Sequence, residues 1–200
     1  MTGVQIGYRV VLPPGWVRLS LRDDPGASVD AILDRSFSQL PADKYGPFRA
    51  ELRKKVMAHL AAARDNEAID LYVPIERMHD VTVPASFVVA LLQFDSVEVP
   101  EPEDVLVAYA AQQDGSEIRE VDGSPALRTE RVVPGDADAE DESQFASRRV
   151  DYLVAIPEGA DRWLTVSFGT VGDGDADGEL ARVLVELFDA VMSTFRWTRG

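Results

Sequence analysis

The sequence predicts an α+β fold, in which an antiparallel sheet of about six or seven strands is sandwiched between helices. Three observations lead to it. Several segments alternate apolar and polar residues and are joined by turns, which is typical of antiparallel strands. Amphipathic helices lie between and after these segments. One segment, Phe87–Leu92, is apolar on both faces, so helices are expected on both sides of the sheet.

The N-terminal part of the chain predicts two strands. The first alternates over Val4–Val10 and ends before Pro13-Pro14-Gly15, because prolines cannot donate to a strand ladder and glycine permits a tight turn. The second strand, Trp16–Leu21, places Val17, Leu19 and Leu21 on one face.

A pair of helices is predicted at about 28–64. Ser28 is a suitable N-cap for a helix that runs to Leu40. The second helix runs from about Pro47 to Arg64, with apolar residues at helical spacing on one side. Its other side carries the basic residues Arg49, Arg53, Lys54 and Lys55.

The remaining elements follow from the same patterns. Residues 68–74 alternate, with Ile69, Leu71 and Val73 expected to face inward. Other strands are predicted at 87–92, 117–121 and 127–133, a hairpin at 150–156 and 164–168, and helices at about 100–112 and 180–195. Trp197 lies just beyond the last helix.

Length and composition indicate one domain, residues 1–200, with a flexible acidic loop at about 134–146. Acidic residues outnumber basic ones by 35 to 20, giving a net charge of -15. This charge disfavours binding to nucleic acids and to anionic membranes. Arginine greatly outnumbers lysine, which is typical of a GC-rich bacterial genome.

The chain contains no cysteine, which excludes disulfides, thiol nucleophiles and cysteine–metal sites. No signal peptide, lipobox or apolar run long enough to span a bilayer is visible, so a cytoplasmic location is expected. No motif for a phosphate-binding loop or a dinucleotide is present, and no cofactor is predicted.

Both ends of the chain resemble the PsbP-like family. The resemblance rests on the opening strand that leads into Pro13-Pro14-Gly15-Trp16, on Trp163–Phe168, and on the final segment Ser193-Thr194-Phe195-Arg196-Trp197. It implies an α/β/α sandwich, a fold also seen in a Ran-binding nuclear-import factor. It also implies a family whose members mostly have binding or accessory roles rather than catalytic ones. Many bacterial relatives are envelope lipoproteins, and this chain departs from them in having no export signal.

A weak candidate calcium site lies before the last helix. Asp173, Asp175, Asp177 and Glu179 follow the spacing at the start of an EF-hand loop, in which alternate residues direct oxygens at one ion. Position 12 of the pattern is Leu184 rather than a glutamate, and the preceding segment is a strand. The favoured interpretation is a polar turn in which Asp175 or Asp177 caps the helix.

The two histidines, His59 and His79, are interpreted as structural, since no nucleophile elbow accompanies them. The predicted function is a non-catalytic accessory or protein-binding module whose partner is unidentified. Arg49, Arg53, Lys54 and Lys55 are its candidate docking residues. Two alternatives remain: a carrier of a small apolar ligand in a cavity between sheet and helices, and an enzyme whose site the sequence does not reveal.

Overall fold

The computed structural model describes residues 6–37, 42–78, 83–93, 101–136, 144–158 and 162–199. These residues form four α-helices and nine β-strands. The helices are α1 (Gly26–Phe37), α2 (Ala42–Asp65), α3 (Pro102–Ala110) and α4 (Glu179–Ser193). The strands are β1 (Ile6–Arg9), β2 (Trp16–Ser20), β3 (Ala68–Pro74), β4 (Ala85–Gln93), β5 (Ser116–Val121), β6 (Ser124–Val133), β7 (Ser147–Ala155), β8 (Arg162–Thr170) and β9 (Arg196–Arg199).

Seven strands form one antiparallel sheet in the order β2-β3-β4-β8-β7-β6-β5. The predicted α+β class and the antiparallel sheet are therefore confirmed. The strand predicted to be apolar on both faces is β4, which lies inside the sheet between β3 and β8. Its two faces contribute to two different cores, as the double apolar pattern requires.

Helices cover both faces of this sheet. On one face α4 packs through Leu184, Phe188 and Val191 on a core that includes Phe87, Val150, Val166 and Phe168. On the opposite face α1 and α2 pack on Leu71, Val88 and Ala90. The short helix α3 covers another part of that face, where Leu106 is buried with Leu127 and Trp163.

The first predicted strand forms, but it does not join the main sheet. β1 pairs instead with β9 in a separate two-stranded ribbon, with Tyr8 opposite Trp197. The strand β9 was not predicted, because four residues with two arginines give too little alternation to recognise. The ribbon packs on the α4 side of the sheet, where Phe195 stacks on the Tyr8 ring.

Two predicted helix caps are wrong. α1 begins at Gly26, two residues before Ser28, and the Asp24 carboxylate accepts a hydrogen bond from the Gly26 backbone N–H. The N-cap of α4 is Gly178, without a side-chain cap. Asp175 accepts instead from the backbone N–H of Asp177 within the preceding turn. Asx turns and caps use the same side-chain chemistry, so composition alone does not distinguish them.

Some predictions lie partly or wholly outside the described residues. They concern the end of the first helix at Leu40, the residue His79, and most of the acidic segment 134–146. Among the helices that the structure describes, none is long and apolar enough to cross a membrane.

Candidate functional site

A buried carboxylate organises a polar cluster, called here the Asp70 cluster, formed by Tyr8, Arg18, Asp70 and Tyr72. Arg18 donates to Asp70 from Nε at 2.7 Å and from Nη2 at 2.9 Å. The Tyr8 hydroxyl donates to Asp70 Oδ2 at 2.5 Å and lies 3.0 Å from the Tyr72 hydroxyl. Both carboxylate oxygens are thus held by donors, which a buried charge requires.

Three elements place these side chains together. Arg18 on β2 lies opposite Tyr72 on β3, and Asp70 precedes Tyr72 by two residues, so all three project from the α4 face of the sheet. The β1–β9 ribbon brings Tyr8 onto them. The Arg18 guanidinium also lies over the Tyr8 ring, 5.8 Å from its centroid. The cluster therefore joins the ribbon to the edge of the sheet.

The phenols of the cluster are hydrogen-bond donors rather than acids at neutral pH. Burial, the neighbouring Tyr72 and the bond to Asp70 raise the pKa of Tyr8 far above its usual range. Burial also raises the pKa of Tyr72. Proton transfer from either hydroxyl is therefore unfavourable, and the geometry favours binding over acid–base chemistry.

Arg18 is the member of the cluster that faces solvent. Its side chain is 47% exposed, whereas that of Asp70 is 0% exposed. Its Nη1 amino group and the second N–H of Nη2 have no protein acceptor among the described residues. A guanidinium whose inner edge is fixed by a carboxylate presents its outer edge in one orientation, which suits recognition of an anionic group.

A second polar network, called here the Arg128 network, holds α4 on the same face of the sheet, over β6 and β7. Arg128 on β6 donates to Asp189 on α4 from Nε at 2.9 Å and from Nη2 at 2.8 Å. The Tyr152 hydroxyl donates to the same carboxylate at 2.8 Å. Glu130 joins Arg128 to Arg148, at 2.8 and 2.7 Å. These contacts replace apolar packing where the sheet surface beneath α4 is polar.

The predicted basic face of α2 is partly used inside the molecule. Arg53 donates to both oxygens of Asp30, and Arg49 pairs with Asp34 at 2.6 Å, so both arginines join α2 to α1. Lys55 lies 3.5 Å from Glu51 on the same helix. Lys54 is exposed and makes no ion pair with the residues described. Docking of a partner on this face stays a prediction.

The four acids of the candidate calcium site do not converge. The Asp177 carboxylate is directed toward Arg148, at 3.0 Å, and Asp175 accepts the backbone N–H of Asp177. In the described part of the chain, no three acidic or histidine side chains are placed to share a metal ion. Calcium binding by Asp173, Asp175, Asp177 and Glu179 stays a prediction. His59 is exposed on α2.

Concave regions occur at both the ribbon and the α4 side of the sheet. A cleft of about 800 Å³ lies between the β1–β9 ribbon, the β5–β6 turn and the start of α3. Trp197, Ile156 and Pro125 line it together with the ion pair of Glu158 and Arg199. A crevice of about 10 Å³ lies between Trp16, Phe168 and α4, and it has room for about one water molecule.

The sequence did not predict the Asp70 cluster. The alternation of residues 68–74 assigned Ile69, Leu71 and Val73 to the inside, yet Asp70 and Tyr72 are buried as well. A register irregularity between Ala68 and Asp70 shifts the pattern, and both faces of β3 are covered. The sequence signal that could have indicated the cluster is an aspartate within an apolar strand. A buried charge requires a partner, so such an aspartate predicts a cation or hydrogen-bond donor beside it.

The fold and the site define an α+β protein with a seven-stranded antiparallel sheet, in which a buried aspartate orients a partly exposed arginine. No family model matches the chain, and no curated protein matches it. It is similar, at 9% identity and a TM-score of 0.45, to the Ran-binding protein Mog1p of Saccharomyces cerevisiae. That similarity covers 97% of this chain and 95% of Mog1p.

A crystal structure of a protein from Bacteroides thetaiotaomicron VPI-5482 is also similar, at 9% identity and a TM-score of 0.39. The similarity covers 64% of this chain and 37% of that protein, so the chain spans little more than a third of its length. At these values neither similarity indicates a function for this chain, and membership of the PsbP-like family stays a prediction.

Proposed function

We propose that this chain is a non-catalytic protein-binding module that recognises an acidic group of its partner through Arg18. The observation that carries the proposal is the geometry of this arginine, which is half exposed and anchored on a fully buried aspartate. An oriented guanidinium loses less conformational freedom when it binds a carboxylate than a free arginine does.

The state of the surrounding groups supports binding rather than catalysis. The Asp70 carboxylate already accepts hydrogen bonds from Arg18 and Tyr8, and the neighbouring phenols stay protonated. In the Arg128 network, the Asp189 carboxylate is likewise held by Arg128 and Tyr152. A general base needs a carboxylate or phenolate that can take up a proton from a substrate.

The position of Arg18 supports a protein partner. β2 is an edge strand of the main sheet, so its outer side pairs with no other strand that the structure describes. Edge strands are accessible to segments of other proteins. Because the chain has a net charge of -15, it repels an acidic partner overall. A cation that is exposed and fixed in orientation, such as the Arg18 guanidinium, provides a local site where such a partner can bind. Lys54 and Lys55 on α2 are proposed as additional docking residues.

The test compares wild-type protein with Arg18→Lys as bait in a pull-down from native lysate at low and high salt. Lysine keeps the charge beside Asp70 but lacks the planar outer edge of the guanidinium. We expect a partner that wild type captures at low salt and releases at high salt, and we expect Arg18→Lys to capture much less of it. Arg182→Gln, at an exposed arginine of α4, is the matched control and should capture the partner normally.

Equal capture of the partner by wild type and Arg18→Lys contradicts the role of Arg18. Failure of wild type to capture any partner contradicts the proposed function itself. Circular dichroism and thermal unfolding of both variants show whether each is folded, so that lost capture is not confused with lost structure. Lys54→Glu with Lys55→Glu, tested in the same way, addresses the basic face of α2.

Transport of a small ligand is a second candidate function, favoured by the cleft of about 800 Å³ beside Trp197. Its volume lies within the range of ligand pockets, and its wall combines apolar residues with the Glu158–Arg199 pair. This cleft lies at the ribbon rather than between the sheet and the α1–α2 pair. Native mass spectrometry of freshly purified protein tests it: a bound metabolite supports a carrier, and a mass equal to the bare chain contradicts one.

A further inference from the structure

Part of the main sheet carries a polar surface that no described helix covers. On the face that α1, α2 and α3 share, these helices contact the sheet at Leu71, Val88, Ala90, Leu127, Leu153 and Trp163. The region called here the open face consists of Ser86, Arg131, Arg149, Asp151, Ser167 and Gly169. Arg131, Arg149 and Ser167 are exposed, and the others are partly exposed.

The strand register aligns four of these residues in one row across the sheet. Arg131 on β6 lies opposite Arg149 on β7, Arg149 lies opposite Gly169 on β8, and Gly169 lies opposite Ser86 on β4. Neighbouring strands are about 4.8 Å apart, so the row is about 14 Å long, the length of about four residues of extended chain.

Among the described residues, the charges of this row are only partly balanced. Arg131 pairs with Asp151 at 2.8 Å, but Arg149 makes no ion pair or hydrogen bond with any residue that the structure describes. Two arginines directly opposite each other on adjacent strands repel. Since no described residue holds the exposed Arg149 guanidinium, it is accessible to an external anion.

Gly169 is not required by the fold. Its φ lies outside the left-handed region, and a Cβ at this position would meet no atom within 4 Å. Glycine inside a strand costs stability, since it gains more freedom in the unfolded chain than other residues. Because this glycine has no side chain, the row is open between Arg149 and Ser86. Such positions often allow another backbone to approach closely.

We propose that the open face binds an extended acidic segment of a partner protein. Arg149 and Arg131 bind its carboxylates, its backbone passes over Gly169, and the hydroxyls of Ser86 and Ser167 donate hydrogen bonds to it. The choice of an acidic polypeptide rests on charge complementarity with Arg149, which has no partner among the described residues, and on the close approach that Gly169 permits. This surface is independent of Arg18, which projects from the opposite face of the sheet.

The test measures fluorescence anisotropy of a fluorescein-labelled peptide of eight glutamates with the full chain. We expect binding at about 20 mM salt that weakens strongly at about 200 mM, because exposed charges are screened. Arg149→Gln should weaken binding at least about fivefold. Gly169→Val should weaken it similarly while leaving the melting temperature unchanged or higher, since valine favours strands.

Three controls make the result specific. Arg182→Gln removes an exposed arginine of α4 and should bind like wild type, and a peptide of eight glutamines should not bind. Arg18→Lys should also bind like wild type, which separates this surface from the proposed function. The proposal is wrong if wild type does not bind the acidic peptide, or if Arg149→Gln and Gly169→Val bind it unchanged. It is also wrong if the protein self-associates in sedimentation and Arg149→Gln abolishes this, since the occupant is then a second copy.

Discussion

Two arginine–aspartate networks lie on the same face of the sheet. In one the arginine is the more exposed partner, and in the other it is the aspartate. In the Asp70 cluster the carboxylate is 0% exposed and its arginine, Arg18, is 47% exposed. In the Arg128 network the arginine is 6% exposed and its carboxylate, Asp189, is 27% exposed. In both, a tyrosine hydroxyl donates to the same carboxylate, so the hydrogen-bonding chemistry is closely similar.

Which member of the arginine–aspartate pair is exposed determines whether the pair is used for stability or is also available for binding. The charge of the buried side chain must be neutralised by its partner, and the charge of the exposed side chain is the one that solvent and other molecules meet. The Asp70 cluster presents a cation with unused donors, whereas the Arg128 network presents carboxylates that are already bound. This comparison predicts that the cost of losing one partner depends on how deeply the remaining partner is buried.

The largest effect is expected for Arg18→Met. It leaves the Asp70 carboxylate inside the protein with only the Tyr8 hydroxyl as donor, which should destabilise the fold by about 3–5 kcal/mol. Urea unfolding monitored by circular dichroism measures the loss. Arg18→Lys should recover much of it, and Arg182→Met, at an exposed arginine without a partner among the described residues, should change stability little. A loss below about 1 kcal/mol for Arg18→Met would contradict the comparison.

A smaller loss is expected for Arg128→Met, although Arg128 is the more buried arginine. The carboxylates that it leaves behind, Asp189 and Glu130, are 27% and 25% exposed, so water can solvate them. Arg148 still pairs with Glu130. We expect a loss of about 1.5–3 kcal/mol in the same urea experiment. If Arg128→Met costs more than Arg18→Met, the burial of the remaining partner does not determine the cost.

Removal of a tyrosine hydroxyl should again destabilise the protein more in the Asp70 cluster than in the Arg128 network, but by a smaller free energy in each. Tyr8→Phe takes a donor from the buried Asp70 and a partner from Tyr72, and should cost about 1–2 kcal/mol. Tyr152→Phe takes a donor from the partly exposed Asp189, where water replaces it, and should cost about 0.5–1 kcal/mol. Thermal unfolding of both variants measures the difference. Equal losses would mean that solvent reaches both carboxylates alike.

The sequence predicts the apolar framework better than these polar networks. The composition of Phe87–Leu92 predicts a central strand covered on both faces, and β4 lies inside the sheet and contributes to a core on each face. The coverage ends before the strand does, since Leu91 and Leu92 are each 37% exposed. Strict alternation that turns Ile69 and Leu71 inward leaves Asp70 on the other face of the strand, and the irregularity of β3 is not encoded in any short motif. Its partners come from residues 8 and 18, and pairing over such distances depends on topology.

The smallest effect concerns the response of the Arg128 network to acid. Burial alone raises the pKa of Glu130, but hydrogen bonds from Arg128 and Arg148 outweigh it and hold this pKa below its usual value of 4.5. A carboxyl whose pKa is lowered by folding stabilises the protein above its unfolded pKa, and this contribution is lost as the pH falls through the folded pKa.

Urea unfolding at several pH values between about 6 and 3 should therefore show a loss of stability below about pH 4.5 that is smaller in Glu130→Gln than in wild type. Glutamine keeps an oxygen acceptor for the arginines but does not titrate. Glu120→Gln, at an exposed glutamate without a partner among the described residues, is the control and should follow wild type. An unchanged pH dependence in Glu130→Gln would place the acid-sensitive group elsewhere. A reduced one would show that the Glu130 carboxylate, although bound by two arginines, is still protonated in the folded protein.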